Sequence, residues 1–414
     1  CRTMAVLMRT IVSNLCRVDS STVVRSGCLT IRQHGGEHLY TNLRLFGTKQ
    51  KKPMSPHLKR AARFAGIGFA MGGLATSAYL YDLYQRIKTP VKNPAGVSDY
   101  ELKDKPPEFP PSRTIQVPTD STGLKITLYQ YQTCPFCCKV RAFLDYSGFN
   151  YDVVEVNSVT RTQTKWTTYR KVPFVVIEMN NQEFLQLKDS TMIISALQSI
   201  LHNRSESLKN LLKSYPIMSY TNEEGKAISE IMNRYFLMYG QHPPGRAKTD
   251  ILDERKWRKW VDDVYVHMLS PNVYRTMDES LQAFNWFDKA GNWEKHFATW
   301  ERYLVLYVGA LAMYLIGKRL KKRHQLKDDV RLSFYEETNI WLKAIKKKGT
   351  KFMGGDEPNL SDLAVYGVLM AIEGCDAFDD LKKNTKIKYW YENMKEVTSQ
   401  HGGAPLANQR GQIA

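Results

Sequence analysis

Two cysteines separated by two residues lie where a predicted strand passes into a predicted helix, and this pattern constrains the fold more than any other feature. Leu124 to Tyr131 is typical of a strand, and Phe136 to Ser147 is typical of a helix. Cys134 and Cys137 fall at the junction, and Pro135 suits the first helical position. The sequence therefore predicts a thiol presented at the start of a helix.

The segments after this junction complete a small mixed sheet. In chain order they predict a strand (Tyr151 to Val156), a short helix (160–170), a strand (Val172 to Glu178), a turn (Met179 to Gln182), a strand (Glu183 to Leu187) and a helix (Ser190 to Leu201). A βαβ unit followed by a helix and then ββα is the element order of the thioredoxin fold. Residues 124–202 are therefore predicted to form an α/β thioredoxin-like domain of the glutaredoxin type.

After a polar connector at 203–223, residues 224–400 predict an all-α domain without a convincing strand, followed by a flexible tail at 401–414. The predicted helices are Glu224 to Tyr239, Ile251 to Met268, Trp293 to Arg323, Val330 to Lys348 and Leu360 to Glu373. The uncharged run Tyr303 to Gly317 is short for a membrane span, so we expect a buried core helix there. Asn359 and Asp362 have the spacing of a reciprocal helix cap.

The amino-terminal region has the composition of a removable leader. Residues 1–63 are rich in Arg, Ser and Thr, and their only acidic residues are Asp19 and Glu37. This composition is typical of an organellar presequence, which should not be assigned a fold. Because the sequence starts at Cys1 rather than Met, we expect it to be part of a longer reading frame.

Two segments connect this leader to the predicted domains. Residues 64–81 are uncharged and just long enough to cross about 30 Å of hydrocarbon, so we predict a membrane anchor. The alternative is an apolar helix that packs on the protein itself. Residues 89–123 hold seven of the 17 prolines and predict an extended linker without regular structure.

Charge and cysteine content exclude several classes of protein. The chain has 59 Lys and Arg against 41 Asp and Glu, but the excess is concentrated in the leader, which argues against a nucleic-acid partner. Seven cysteines in 414 residues are too sparse for a disulfide scaffold and indicate a reducing compartment. Average glycine and proline content and plentiful aromatic residues exclude collagen-like or wholly disordered chains.

The spacing of Cys134 and Cys137 has a chemical reason. Amide groups and the dipole at a helix start stabilise a thiolate, and a second thiol one turn later can resolve a mixed disulfide. A zinc site would need two more nearby ligands, and the closest histidine is His202. Two ordinary buried cysteines are the remaining alternative.

Two further pairs are candidates for ligand contacts. In thioredoxin-like folds, a proline at the position of Pro173 is usually cis and presents the backbone of the preceding residue, here Val172, to a ligand. Asp189 is predicted to cap the helix that starts at Ser190. The helix-start amides and the Ser190 hydroxyl suit a carboxylate, and Asp189 suits an ammonium group. The γ-glutamyl end of glutathione carries both groups.

This architecture resembles that of glutathione transferases, and within it the sequence resembles the type 2 membrane-associated prostaglandin E synthases over about residues 90–400. The resemblance rests on the all-α domain, on Pro358 to Leu369, on the apolar amino-terminal segment, on Lys171-Val172-Pro173 and on Leu128-Tyr129-Gln130-Tyr131-Gln132-Thr133-Cys134-Pro135-Phe136-Cys137-Cys138-Lys139-Val140-Arg141. It implies isomerisation of prostaglandin H2 to prostaglandin E2, with glutathione and haem as ligands of one cleft. With haem bound, it implies glutathione sulfur as the axial ligand and breakdown of the substrate.

Carried over by motif, the resemblance implies that Cys134 is the essential thiol and that Tyr131 orients the thiol or the substrate. It also implies that glutathione contacts Phe136, Val172, Asp189 and Ser190. A membrane-associated Golgi or mitochondrial enzyme is expected, with a soluble cytoplasmic form after leader removal. A homodimer is also expected. Two alternatives stay open: a glutaredoxin-like oxidoreductase that uses Cys134 and Cys137, and a non-enzymatic haem-binding or lipid-binding membrane adaptor.

Overall fold

The computed structural model describes residues 100–179, 183–221, 225–239 and 245–407. The predicted leader, the predicted anchor at 64–81 and the first part of the predicted linker, 89–99, lie outside these residues, as do 408–414. One compact unit covers the described residues of 100–218 and 230–407, and a second covers those of 219–229.

A six-stranded mixed sheet forms the first part of the larger unit. Its strands are β1 (Glu101–Leu102), β2 (Arg113–Ile115), β3 (Lys125–Gln130), β4 (Tyr151–Glu155), β5 (Phe174–Glu178) and β6 (Phe184–Lys188). Their order is β1-β6-β5-β3-β4-β2, and only β3 and β4 run parallel. Two helices follow the predicted order, α1 (Pro135–Ser147) and α2 (Ser190–His202). The predicted βαβ and ββα arrangement is confirmed.

Two details differ from the expectations. The described part of the predicted linker contributes β1 and β2, which pair with β6 and β4 at the two edges of the sheet. Proline-rich sequence is compatible with edge strands because an edge strand does not need every amide for pairing. Residues 160–170 form only a short 3₁₀ turn at Thr162–Thr164 instead of a longer helix.

The two faces of the sheet pack against different neighbours because side chains alternate along each strand. Leu128 and Val175 point into the core shared with the helices, and both are fully buried. Tyr129 and Phe174 belong to a second aromatic cluster, where their rings stack with centroids 4.4 Å apart. Trp166, just after the 3₁₀ turn, contacts both rings at 6.0 Å.

The second part of the larger unit is helical. After α3 (Leu208–Leu212), its helices are α4 (Lys248–Trp260), α5 (Val266–Val273), α6 (Met277–Ala290), α7 (Trp293–His296), α8 (Thr299–Leu304), α9 (Ala310–Arg323), α10 (Val330–Lys348), α11 (Leu360–Met370), α12 (Asp376–Asn384), α13 (Ile387–Ser399) and α14 (Ala404–Ala407). Short π-helical segments at Val261–Tyr265 and Val305–Gly309 continue α4 into α5 and α8 into α9.

The predictions for 203–239 and for the long apolar helix need correction. Ile217–Thr221 and Ala227–Ile231 pair as a two-stranded sheet, so the predicted helix from Glu224 to Tyr239 is wrong.

The run Tyr303 to Gly317 is helical but is not a buried core helix, because large apolar side chains on one of its faces are exposed. Among the described helices, Thr299–Arg323 is long and apolar enough to span a membrane by length and composition.

The helical part packs directly against α1. Gly367, in α11, lies so close that a Cβ atom there would be 2.5 Å from Cα of Lys139 and 2.9 Å from the carbonyl carbon of Cys138. Only glycine permits this backbone approach. The position of α1, and of the cysteines it carries, therefore depends on the helical part as well as on the sheet.

Candidate active site

Cys134 is the N-cap residue of α1, as the sequence predicts. Its backbone is extended (φ −77°, ψ 125°), and Pro135 follows at the first helical position. The Cys134 amide donates to Tyr131 O at 3.1 Å, and the Cys134 carbonyl accepts from the Cys138 amide at 2.8 Å. Cys134 is partly exposed, whereas Cys137, Cys138 and Cys375 are buried. The turn thus presents one of these four thiols to solvent.

The environment of α1 favours the thiolate of Cys134. A hydrogen bond from the Cys137 thiol lowers the pKa of Cys134, against the opposing effect of burial. The backbone amides of Cys137 and Phe136 and the charge of Arg141 lower that pKa further. Burial and the same hydrogen bond raise the pKa of Cys137 well above its ordinary value. The pair is therefore asymmetric, with an ionisable outer thiol and a protonated inner thiol.

Arg141 was missed as a site residue by the sequence analysis. Its guanidinium is buried and donates to Gln130 Oε1 at 2.6 Å and to Gln132 O at 2.9 Å. It also donates to Cys138 Sγ at 3.2 Å. Arg141 lies seven residues after Cys134, on the same side of the helix. A charged residue on the helix face that packs against the sheet was therefore the signal that could have identified Arg141.

A half-buried carboxylate holds the other side of the same turn. Glu155, at the end of β4, accepts from the Gln132 amide at 2.5 Å and from Gln130 Nε2 at 3.0 Å. Arg141 binds the carbonyl of Gln132 while Glu155 binds its amide. The peptide groups that lead into Cys134 are therefore held between two charged side chains.

The strand register brings the other predicted residues to the same edge of the sheet. Phe174 pairs with Tyr129 on one side and with Lys188 on the other. The residues just beyond these partners are therefore neighbours: the turn that leads to Cys134, the pair Val172–Pro173, and Asp189. The Val172–Pro173 peptide bond is cis, as predicted. No hydrogen bond joins the backbone of Val172 to any other residue that the structure describes.

Asp189 caps α2, as predicted, and has an additional partner. Its Oδ1 accepts from the amides of Thr191 at 2.9 Å and Met192 at 3.1 Å. Its Oδ2 lies 3.3 Å from Arg234 Nη1, a residue that the sequence analysis did not select. Because Asp189 already occupies those two amides, the amide of Ser190 and its hydroxyl are the groups left at this helix start.

Two tyrosines lie between these segments. Burial raises the pKa of Tyr131, and the charge of Arg161 acts in the opposite direction. Burial also raises the pKa of Tyr169, and the charge of Asp189 raises it further. Tyr169 packs edge-on against Phe174 with centroids 6.3 Å apart. The sequence analysis did not select Tyr169 as a site residue; its ring belongs to the aromatic cluster around Phe174.

Behind the cysteines, a buried ion pair joins α1 to the helical part. Lys139 Nζ pairs with Asp262 Oδ1 and donates to Thr191 Oγ1 at 3.1 Å. Asp262 Oδ2 accepts from Thr191 Oγ1 at 2.6 Å and from the Tyr235 hydroxyl at 3.1 Å. Lys139 Nζ also lies 5.8 Å from the ring centroid of Phe136. This network fixes α1, α2 and the π-helical segment relative to one another.

Comparison with known proteins identifies the family of this chain. The glutaredoxin family profile matches residues 126–182. Prostaglandin E synthase 2 of Danio rerio is 41% identical over 357 residues, which cover 85% of this chain and 86% of that protein. The chain belongs to the prostaglandin E synthase 2 family. Prostaglandin E synthase 2 of Mus musculus, another family member, is 47% identical over 280 residues, 67% of this chain and 71% of that protein.

Solved structures similar to this family member include two plant glutathione transferases. Glutathione transferase F7 from Populus trichocarpa is 12% identical over 67% of this chain and 99% of that chain, with a TM-score of 0.37. Glutathione S-transferase I from maize is 13% identical over 69% of this chain and 99% of that chain, with a TM-score of 0.39. The fold is a glutaredoxin-type thioredoxin-like domain followed by a mainly helical part, as predicted.

Proposed function

We propose that this enzyme isomerises prostaglandin H2 to prostaglandin E2 at Cys134, with glutathione bound beside it. One observation carries the proposal: Cys134 is partly exposed at the start of α1, where the Cys137 thiol and two backbone amides lower the pKa of Cys134. The substrate is proposed from membership of the prostaglandin E synthase 2 family. An O–O bond is weak and electrophilic, so an ionised sulfur is a suitable reagent for it.

The proposed reaction restores the thiolate at its end. The Cys134 sulfur attacks one endoperoxide oxygen, the O–O bond breaks, and the second oxygen leaves as an alkoxide that takes up a proton. A base then removes the hydrogen from the carbon that bears the sulfur-bound oxygen. The electrons of that C–H bond form the ketone, and the S–O bond breaks to release the thiolate. No oxidant or reductant is consumed.

Glutathione is proposed to bind along the edge of the sheet. The backbone of Val172, beside the cis bond, suits pairing with the backbone of the tripeptide. The amide and hydroxyl of Ser190 suit the γ-glutamyl carboxylate, and Oδ2 of Asp189 suits the ammonium group. Arg234, 3.3 Å from that oxygen, would then meet a carboxylate of the ligand. Phe136, at the first turn of α1, is proposed to cover the ligand.

Tyr131 is proposed to orient the sulfur or the substrate. Its backbone carbonyl accepts from the amide of Cys134 at 3.1 Å, so Tyr131 lies in the turn that carries the sulfur. Because burial raises the pKa of Tyr131, its hydroxyl keeps its proton at neutral pH and can donate to a developing alkoxide.

Haem stays a prediction from the family resemblance, with glutathione sulfur as its axial ligand. The part of the chain that the structure describes contains no group of three or more His, Cys, Asp or Glu that could hold a metal. A Soret band that requires both hemin and glutathione would support this binding.

The location is proposed from the sequence. Residues 64–81 would anchor the enzyme in a Golgi or mitochondrial membrane, with the catalytic part in a reducing compartment. A soluble cytoplasmic form would follow removal of the leader. A homodimer is proposed from the general frequency of twofold assemblies.

The test is to incubate the purified protein with prostaglandin H2 and identify the products by mass, with and without glutathione. Cys134→Ser should lower prostaglandin E2 formation at least about 100-fold, because a hydroxyl is not ionised at neutral pH. Cys375→Ser, at a buried thiol outside the site, is the matched control. Unchanged product formation by a folded Cys134→Ser protein would refute the proposal.

A glutaredoxin-like dithiol oxidoreductase is the second candidate, and the match of residues 126–182 to the glutaredoxin family, with Cys134 and Cys137 in the first turn of α1, favours it. In that reaction Cys134 would attack a disulfide, and Cys137 would displace the mixed disulfide to release the reduced product. Glutathione would then reduce the Cys134–Cys137 disulfide. Cys137→Ser should abolish two-thiol reduction of a protein disulfide while leaving the isomerase reaction in place.

A further inference from the structure

An apolar stripe runs along the continuous helical segment from Thr299 to Arg323. Its large side chains recur three or four residues apart, which places them on one face. They are each 38–58% exposed and comprise Trp300, Tyr303, Tyr307, Val308, Leu311 and Leu315. From Trp300 to Leu315 the stripe extends for about 22 Å at 1.5 Å per residue. We call it the 300–315 stripe.

The opposite face of the same segment holds it in the helical part. Val305, Leu306 and Ala310 are buried in the core. Gly309 approaches the ring of Phe284 so closely that a Cβ atom would lie 2.6 Å from Cε1. The segment therefore cannot cross a bilayer on its own without leaving the core, although its length and composition allow a span. Its position instead allows it to lie flat on a surface.

Basic side chains continue the exposed face beyond the stripe. Lys318, Arg319 and Lys322 are exposed at the carboxyl end of α9, and Lys318 Nζ lies 4.6 Å from the ring centroid of Tyr314. The single acidic residue from Thr299 to Arg323 is Glu301, which is buried and hydrogen-bonded to Asn157 Nδ2 at 3.3 Å. The exposed face thus combines apolar and cationic groups without a carboxylate.

We propose that the 300–315 stripe, with the cationic end at 318–322, docks the helical part onto an anionic phospholipid bilayer. Such a surface supplies hydrocarbon for the leucines and negative headgroups for the lysines. Tryptophan and tyrosine are enriched where hydrocarbon meets headgroups, and three of the six stripe residues are of these types. A second copy of this face would offer no acidic partner for the cationic end. This contact would be separate from the predicted anchor at 64–81.

The test is hydrogen–deuterium exchange of the full chain, alone and on vesicles. The vesicles contain phosphatidylcholine, with or without about one third phosphatidylserine. On anionic vesicles, amide exchange in peptides from 299 to 323 should slow by about threefold or more, and high salt should reverse part of the effect. Peptides from α10 should not change. Membrane binding through the predicted anchor at 64–81 would not by itself produce this result, because the exchange is measured in peptides from 299 to 323.

Paired variants identify the source of the protection. Lys318→Gln/Lys322→Gln should remove the difference between anionic and neutral vesicles, whereas Lys346→Gln/Lys347→Gln, at exposed lysines of α10, should retain it. Leu311→Ser/Leu315→Ser should remove the protection on both. Equal exchange with and without anionic vesicles would overturn the proposal. So would protection of 299–323 that appears without lipid and rises with protein concentration, because that result identifies a second copy as the occupant.

Discussion

Two helices that pack against each other, α1 and α11, begin in opposite ways. At the start of α11, Asn359 Oδ1 accepts from the amides of Ser361 and Asp362, and Asp362 Oδ2 accepts from the amide of Asn359 at 3.1 Å. At the start of α1, Cys134 makes no side-chain cap bond, and the first turn contains no acidic residue. One helix uses its terminal amides for folding, and the other leaves them facing a sulfur.

This difference shows how one element of structure serves two purposes. Unpaired amides at a helix start favour any nearby negative charge. In α11 two first-turn amides are bound by the side-chain oxygen of Asn359, and the carboxylate of Asp362 in the same turn is buried and bonded by the amides of Met353 at 3.0 Å and Gly354 at 2.9 Å. In α1 the negative charge is a thiolate that is able to react. Stability at the first site and reactivity at the second should therefore respond to mutation independently.

The largest expected effect on stability is at the buried cap. Asp362→Ala leaves three backbone amides without their acceptor, so we expect a loss of about 4 kcal/mol in the free energy of unfolding. Asp376→Ala, at the exposed start of α12, should cost less than about 1 kcal/mol. Urea denaturation measures both. A difference between the two variants below about 1 kcal/mol would contradict the role of Asp362.

A second substitution tests whether the packing of α11 against α1 positions Cys134. Gly367→Ala would place a methyl group 2.5 Å from Cα of Lys139, so α1 must shift. We expect a loss of about 2 kcal/mol in unfolding free energy and slower alkylation of Cys134. Gly349→Ala is the matched control, because its φ of +71° penalises alanine but no atom lies within 4 Å of the added Cβ. Equal alkylation rates in the two variants would show that α11 does not position Cys134.

The smallest expected stability change has the opposite sign. Serine is a preferred N-cap residue, whereas the thiol of Cys134 makes no cap bond. Cys134→Ser should therefore raise the free energy of unfolding by about 0.5 kcal/mol while activity is lost. Denaturation in urea and the product assay on the same sample measure both quantities. A less stable Cys134→Ser protein would indicate that the sulfur contributes to folding.

Local signals predicted much of the fold. The start of α1 falls at Pro135, one residue before the predicted Phe136, because proline and the preceding extended residue mark a helix start. The predicted helix Val330 to Lys348 is confirmed without change, since Gly349 follows it in a left-handed conformation. Helix α6 was omitted, although Thr276 accepts from the amide of Glu279 at 3.1 Å in a recognisable capping pattern.

The remaining differences depend on contacts distant in sequence. The strand Ile217–Thr221 was missed because five residues give too short an alternation to distinguish a strand from a helix. Arg141 and Glu155 hold the turn before Cys134 only because β3, β4 and α1 meet there. The salt bridge between Asp189 and Arg234 joins residues 45 positions apart. No spacing rule along one segment could predict these partners.

The most direct test of the central claim is the pH dependence of Cys134 alkylation by iodoacetamide, followed by mass analysis of the peptide that carries it. Because the Cys137 thiol is the largest cause that lowers the pKa of Cys134, the midpoint should lie below the ordinary thiol pKa. Cys137→Ser, which retains a donor, should keep the midpoint low, and Cys137→Ala should raise it. A midpoint at or above the ordinary value in the wild-type protein, unchanged in Cys137→Ala, would contradict the account.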